Sequence, residues 1–222
     1  MSRKQKQFAV IGLGRFGSSI AMSLCSMGYE VLAIDADEHR VHEIADEITH
    51  AVQADATDED AMRALGLRNF DVVIVAIGND IQSSILAAII LKDMGIPKVV
   101  AKAQNELHGK VLKKIGVDQV IFPERDMGLR VAQHLVTPNL LDMIELSDEY
   151  SIVELKAPKE MIGRTLRQLD IRAKYGCSVM ALKTGNHMNI SPNADDVVKE
   201  EDILIVVGTN EQLGRMGQAF GE

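Results

Sequence analysis

FAVIGLGRFG, residues 8–17, reads as an apolar strand running straight into a G-x-G-x-x-G turn, and the residues behind it, with Ile20, Met22 and Leu24, read as the helix that the turn opens. Each glycine has its own duty in that pattern: Gly12 permits the tight turn, Gly14 lets phosphate approach the backbone, and Gly17 lets helix and strand pack closely. The helix start then offers unpaired N–H groups to an anion. Asp35 ends the next strand-like run 18 positions after Gly17, where a carboxylate accepts hydrogen bonds from an adenosine ribose. Arg15 and Phe16 fill the variable places of the loop and join the candidate nucleotide site. Backbone N–H groups already serve a pyrophosphate, so a guanidinium at Arg15 suits a ligand with more phosphate charge, ATP or ADP, unless it simply faces water.

Outward from this loop, strands are predicted at Phe8–Ile11, Glu30–Ile34, Ala51–Ala54, Val72–Ile77, Lys98–Lys102 and Gln119–Phe122, with helical stretches between them. Runs such as VVIVAI are apolar without alternation, as expected where helices cover both faces of a sheet. Right-handed βαβ crossovers then make an α/β, Rossmann-like, doubly wound parallel sheet of six strands. Ligands of such sheets lie beyond the carboxyl ends of the strands. That edge collects Asp55 and Ala56, Ile77, Gly78 and Asn79, Lys102, Ala103 and Gln104, and Glu124. Lys102 is placed to meet phosphate and Glu124 to hold a divalent cation against phosphate oxygens, although each also reads as an ordinary solvated charge. His108 begins the helix after the fifth strand, within reach of a ligand or on the surface.

After Pro123 the strand–helix alternation stops. Residues 126–137 read as a helix, interrupted at Pro138-Asn139, and LLDMIEL as a second short amphipathic piece. Met127, Val131 and Leu135 line one side of that helix and Leu129, Ala132 and Val136 another, so it needs covering twice, by its own domain and a partner at a dimer interface, unless it packs only inside its own chain. From Ser151 a small α+β module follows, of the size that leans on a partner. The expected divisions are a nucleotide-binding domain over 4–123, crossover helices over 124–147 and a C-terminal domain over 148–222.

Twenty-four Lys and Arg against 32 Asp and Glu leave a net charge of −8 in 222 residues, which argues against nonspecific nucleic-acid binding and against a polybasic membrane anchor. The longest nearly apolar stretch, Ile81 to Leu91, is too short to span a bilayer, and the N-terminus lacks a signal-peptide core. Cys25 and Cys177 stand 152 positions apart without metal-ligand spacing, and read as two buried thiols in a reducing cytoplasm. The Tyr-x-x-x-Lys of short-chain reductases is absent: four residues after Tyr29, Tyr150 and Tyr175 stand Ala33, Glu154 and Val179. No Walker A sequence is present either.

GLGRFG with Asp35, ADAT at 54–57 and FPERDMG at 122–128 resemble the RCK (regulator of potassium conductance, TrkA-N) domain, and the module with DIRAKYG at 170–176 resembles its TrkA-C companion. Within that family the chain resembles the KtrA-type gating-ring subunits of bacterial Ktr potassium uptake systems. The resemblance implies a cytoplasmic, non-enzymatic subunit, peripheral to the inner face of the membrane, whose dimers assemble into an octameric ring beneath a potassium channel subunit of Ktr or Trk type. It implies binding of ATP, ADP or NAD(H), with Arg15 near the terminal phosphates across the dimer interface, Asp35 on the ribose, Asp55 and Ala56 beside adenine, and Glu124 at a Mg or Ca site. It also implies a second ligand, cyclic di-AMP, at Asp170 and Arg172, where Ser178 replaces the expected Asn. An NAD-dependent oxidoreductase and a nucleotide-binding adaptor of another membrane protein are the competing readings.

Overall fold

The computed structural model describes residues 6–136, 139–147 and 149–220, in two compact units divided between Asp126 and Met127. In the first, β1 (Gln7–Ile11), β2 (Glu30–Asp35), β3 (His50–Gln53), β4 (Val72–Val75), β5 (Val99–Lys102) and β6 (Gln119–Ile121) alternate with α1 (Arg15–Ser26), α2 (Glu38–Ile44), α3 (Glu59–Ala64), α4 (Ile81–Asp93) and α5 (Glu106–Ile115). The six strands are parallel and ordered β3-β2-β1-β4-β5-β6. Ala9, Ile11, Leu32, Ile34, Val73 and Val75 feed one apolar core, while Val10, Val31, Ala33 and Ile74 feed another. Successive side chains of a strand point to opposite faces, so burial on both faces is why these runs are apolar throughout. Strand order reverses between β1 and β4, which opens the crevice at their carboxyl ends.

The α5 helix holds a glycine for a packing reason. A Cβ on Gly109 would overlap the Phe122 ring, whose face also carries the Arg125 guanidinium, 4.1 Å from the centroid. Arg125 in turn pairs with Glu106 at 2.6 Å.

The next helix, α6, spans Pro123–Val136 and starts three residues earlier than the sequence pattern suggests. Proline has no N–H to lose at a first helical position, and Asp126 N donates to Phe122 O at 2.9 Å to close the first turn. The expected break at Pro138 and the division at Asp148 fall outside the described residues. LLDMIEL is not a further crossover helix: it forms strand β7 (Leu140–Glu145), antiparallel to β8 (Tyr150–Lys156). Seven residues are too few for a helix to stand on its own, and the edge of β8 supplies backbone partners from Leu140 to Glu145, with a register shift at Leu141.

With β9 (Ser178–Thr184), β10 (His187–Asn189) and β11 (Ile203–Thr209), these strands make an antiparallel sheet ordered β10-β9-β11-β8-β7. The short helices α7 (Leu166–Leu169) and α8 (Ile171–Tyr175) and the closing α9 (Asn210–Ala219) complete the unit. Leu155, Met161, Leu169, Leu204, Val206 and Met216 form its separate core. Cys177 is buried there, whereas Cys25 is only half-buried, a correction to the expectation for that thiol. Met127, Leu129, Val131 and Leu135 of α6 are exposed, Leu135 at 78%. Leu129 also borders an apolar cavity of about 350 Å³ shared with Met143, Val153, Leu213 and Met216. Among the described residues no helix is long and apolar enough to cross a membrane.

Candidate nucleotide-binding site

Four helices starting at the carboxyl edge of the parallel sheet are closed by a side chain. Asp37, Asp58, Asp80 and Asn105 accept from backbone N–H groups of α2, α3, α4 and α5. α1 differs from these four: its N-cap, Gly14, offers no side-chain acceptor. A helix leaves its first N–H groups unpaired unless something caps them, so α1 presents its donors and the positive end of its dipole to whatever enters the crevice.

The three glycines divide as the motif requires. Gly12 has φ +94°, and a Cβ there would lie 2.9 Å from Ile77 N; on Gly17 it would overlap the Gly12 carbonyl. On Gly14 it would meet nothing within 4 Å. Gly12 and Gly17 are therefore demanded by the chain's own packing, and Gly14 is not.

Asp35 is buried at the end of β2. Its Oδ2 accepts from Leu13 N at 2.6 Å and its Oδ1 from Asp37 N at 2.9 Å. One carboxylate thus ties the glycine loop to β2 while keeping lone pairs for ribose hydroxyls. Arg40, which the sequence reading passed over, reaches to 3.6 Å from Oδ2; its position near the start of α2, five residues beyond Asp35, was the only signal.

On the other side of the switch point, Lys102 joins four segments. Its Nζ is 2.5 Å from Glu124 Oε1 and 5.7 Å from the centroid of Phe16, and a Cβ on Gly78 would sit 3.2 Å from it. The lysine side chain is 11% exposed and the glutamate 70%. The Lys102 hydrogen bond holds the Glu124 carboxyl below the usual carboxylate range, and the exposed Arg15 adds a weaker pull in the same direction. Gly12, Gly14, Arg15, Phe16, Gly17, Gly78, Lys102 and Glu124 therefore gather at one place.

The other expected residues line the same edge with different duties. Ala56 and Ala103 are buried in the core that Ile77 packs against. Asp55 Oδ1 is taken by Thr57 N at 2.8 Å and Thr57 Oγ1 at 2.7 Å, bonds that lower its carboxyl's pKa. Asn79 and Gln104 are exposed.

His108 is not a surface residue: it is 2% exposed, its Nδ1 accepts from Gln104 N at 3.2 Å, and its Nε2 has no protein partner. Burial lowers its pKa from the ordinary 6.5, so the folded chain holds a neutral ring. The unfolded chain takes up the proton first as pH falls, and stability is lost below about pH 6.5 until the folded ring also titrates. Melting curves from pH 8 to 5.5 should show a falling Tm, with a shallower slope in His108→Gln. Equal slopes would remove His108 as the cause.

In the C-terminal unit, Asp170 adopts φ 48° between α7 and α8, and Asp170, Arg172 and Ser178 are exposed. Among the described residues no group of three or more His, Cys, Asp or Glu is placed to hold a metal.

This geometry defines a doubly wound, Rossmann-like domain followed by a small antiparallel-sheet domain. The TrkA-N domain model matches residues 8–123 and the TrkA-C domain model residues 150–221. Ktr system potassium uptake protein C of Bacillus subtilis (strain 168) is 52% identical over 211 residues, covering 95% of this chain and 96% of that protein. Protein A of the Ktr system from the same organism is 50% identical over 212 residues, 96% of each chain. The chain belongs to the TrkA-N/TrkA-C family. Among solved structures the GsuK channel shares the fold with a TM-score of 0.71 and 18% identity; the match covers all of this chain and 40% of that one. A GsuK channel bound to NAD gives 0.68 and 17%, with the same coverages.

Proposed function

We propose that this protein is a non-enzymatic regulatory subunit of a potassium uptake system, which binds an adenine nucleotide at the β1–β4 crevice and gates K⁺ flux through a membrane-embedded channel partner. The uncapped α1 N-terminus, with Gly14 facing open space beside Arg15 and Lys102, carries the reading. ATP and ADP fit it best, since two cations add to a loop that already serves a pyrophosphate; NAD(H) uses the same loop. Full-length similarity to the Ktr potassium uptake proteins supports the transport role. Gating requires that ATP and ADP favour different shapes of the assembly, because equal affinity for both shapes shifts nothing.

The exposed apolar row on α6 supports assembly into dimers and, by family likeness, an octameric ring at the cytoplasmic face of the membrane. For a divalent cation the candidate carboxylate is Glu124, which is paired with Lys102; a Mg or Ca site here would need phosphate oxygens and a second subunit to complete it. Cyclic di-AMP at Asp170 and Arg172 is a further proposal, with Ser178 in place of the amide.

The test is K⁺ flux through the channel subunit reconstituted in vesicles with this protein and ATP, ADP or neither, alongside calorimetry. Flux should differ between nucleotides, and Asp35→Ala should weaken binding about tenfold to a hundredfold. Flux indifferent to nucleotide would overturn the gating role, and unchanged affinity in Asp35→Ala the ribose contact.

A further inference from the structure

Lys102 is the cation a phosphate entering the crevice would meet, yet its Nζ is already committed to Glu124 Oε1 at 2.5 Å. The lysine's surroundings leave it little freedom. Phe16 lies beneath the ammonium at 5.7 Å, Gly78 stands so close that a Cβ there would press on Nζ at 3.2 Å, and the side chain is 11% exposed. Glu124, by contrast, is 70% exposed and is the second residue of α6. An ammonium so confined has few ways to turn toward phosphate other than by leaving its carboxylate.

We propose that the Lys102–Glu124 pair is a latch that nucleotide phosphate must open, so that Glu124 opposes binding and Lys102 exchanges a carboxylate on α6 for phosphate oxygens. Resting on the nucleotide reading above, this assigns Glu124 a positioning role, through Lys102, that needs no metal. Opening the latch removes one tie on the first turn of α6, where Arg125 still pairs with Glu106, and so couples occupancy of the crevice to the start of the helix that carries the exposed apolar row. The coupling is reciprocal: whatever holds Glu124 away from Lys102 tightens nucleotide binding by the same factor by which nucleotide favours the open latch.

Two substitutions separate the latch from simple repulsion between carboxylate and phosphate. Glu124→Gln removes the charge, whereas Glu124→Asp keeps the charge but is one methylene too short to hold the lysine where it sits. Calorimetry with ADP in EDTA, which excludes any cation contribution, should show both variants binding about twofold to fivefold more tightly than wild type, the change expected of an ion pair with one exposed partner. Lys102→Met should bind more weakly. Tightening in Glu124→Gln alone would assign the effect to repulsion and overturn the latch. Weakened or unchanged binding in both variants would overturn it as well, showing that the pair persists in the complex. Wild type that takes up no ADP would instead overturn the nucleotide reading itself.

Discussion

Gly14→Ala should lose nucleotide affinity by about a hundredfold or more while the protein melts within a few degrees of wild type. A Cβ at this position touches nothing in the chain, and the backbone, at φ −68° and ψ 178°, is open to any residue. The structural cost is that of alanine at an N-cap, about 1 kcal/mol, or roughly 2–4 °C in Tm. The methyl group instead stands where phosphate meets the first N–H groups of α1, and losing two charge-assisted hydrogen bonds at about 1.5 kcal/mol each accounts for the affinity. Calorimetry with ATP and ADP, beside a melting curve, checks both halves. Retained affinity would place the phosphates elsewhere than over this loop.

Gly17→Ala should do the reverse of sparing the fold. Its Cβ would overlap the Gly12 carbonyl oxygen and press on Ala76 Cβ at 3.1 Å. Backbone does not yield as a side chain does, so α1 must move off β1 and the packing between them is lost. A cost of about 3 kcal/mol or more follows, which is roughly 10 °C in Tm. Circular dichroism on heating reads this directly, and a Tm unchanged from wild type would show that α1 and β1 are not in close contact at this point. The two substitutions, three residues apart, thereby separate the ligand's requirement from the fold's.

The parallel sheet was legible because its signals are local. A buried strand must be apolar on both faces, and the glycines at 12, 14 and 17 carry the spacing of a phosphate-binding turn within a few residues of one another. LLDMIEL was not legible, because a seven-residue amphipathic segment takes its conformation from its neighbour, here β8. In the site, residue types announced the edge but not the partners. Lys102 and Glu124 are 22 positions apart, and only the topology of β5, β6 and α6 brings them together. His108 was ambiguous for the same reason: its burial is set by tertiary packing, and a single polar residue in a helix carries no periodic signal. The missing cap on α1 was visible in the sequence as a glycine, although its meaning needs the comparison with Asp37, Asp58, Asp80 and Asn105.

The glycine in the middle of α5 has an evolutionary corollary. Glycine costs a helix interior roughly 1 kcal/mol relative to alanine, so it persists only where something enforces it, and at Gly109 the Phe122 ring does. Positions 109 and 122 are therefore not free to drift independently. A lineage that keeps the aromatic ring at 122 must keep glycine at 109, while one that shrinks or reshapes the ring can accept a side chain there and gain a better helix. Across related sequences these two sites should change as a pair, and a bulky residue at 109 beside phenylalanine at 122 should be rare.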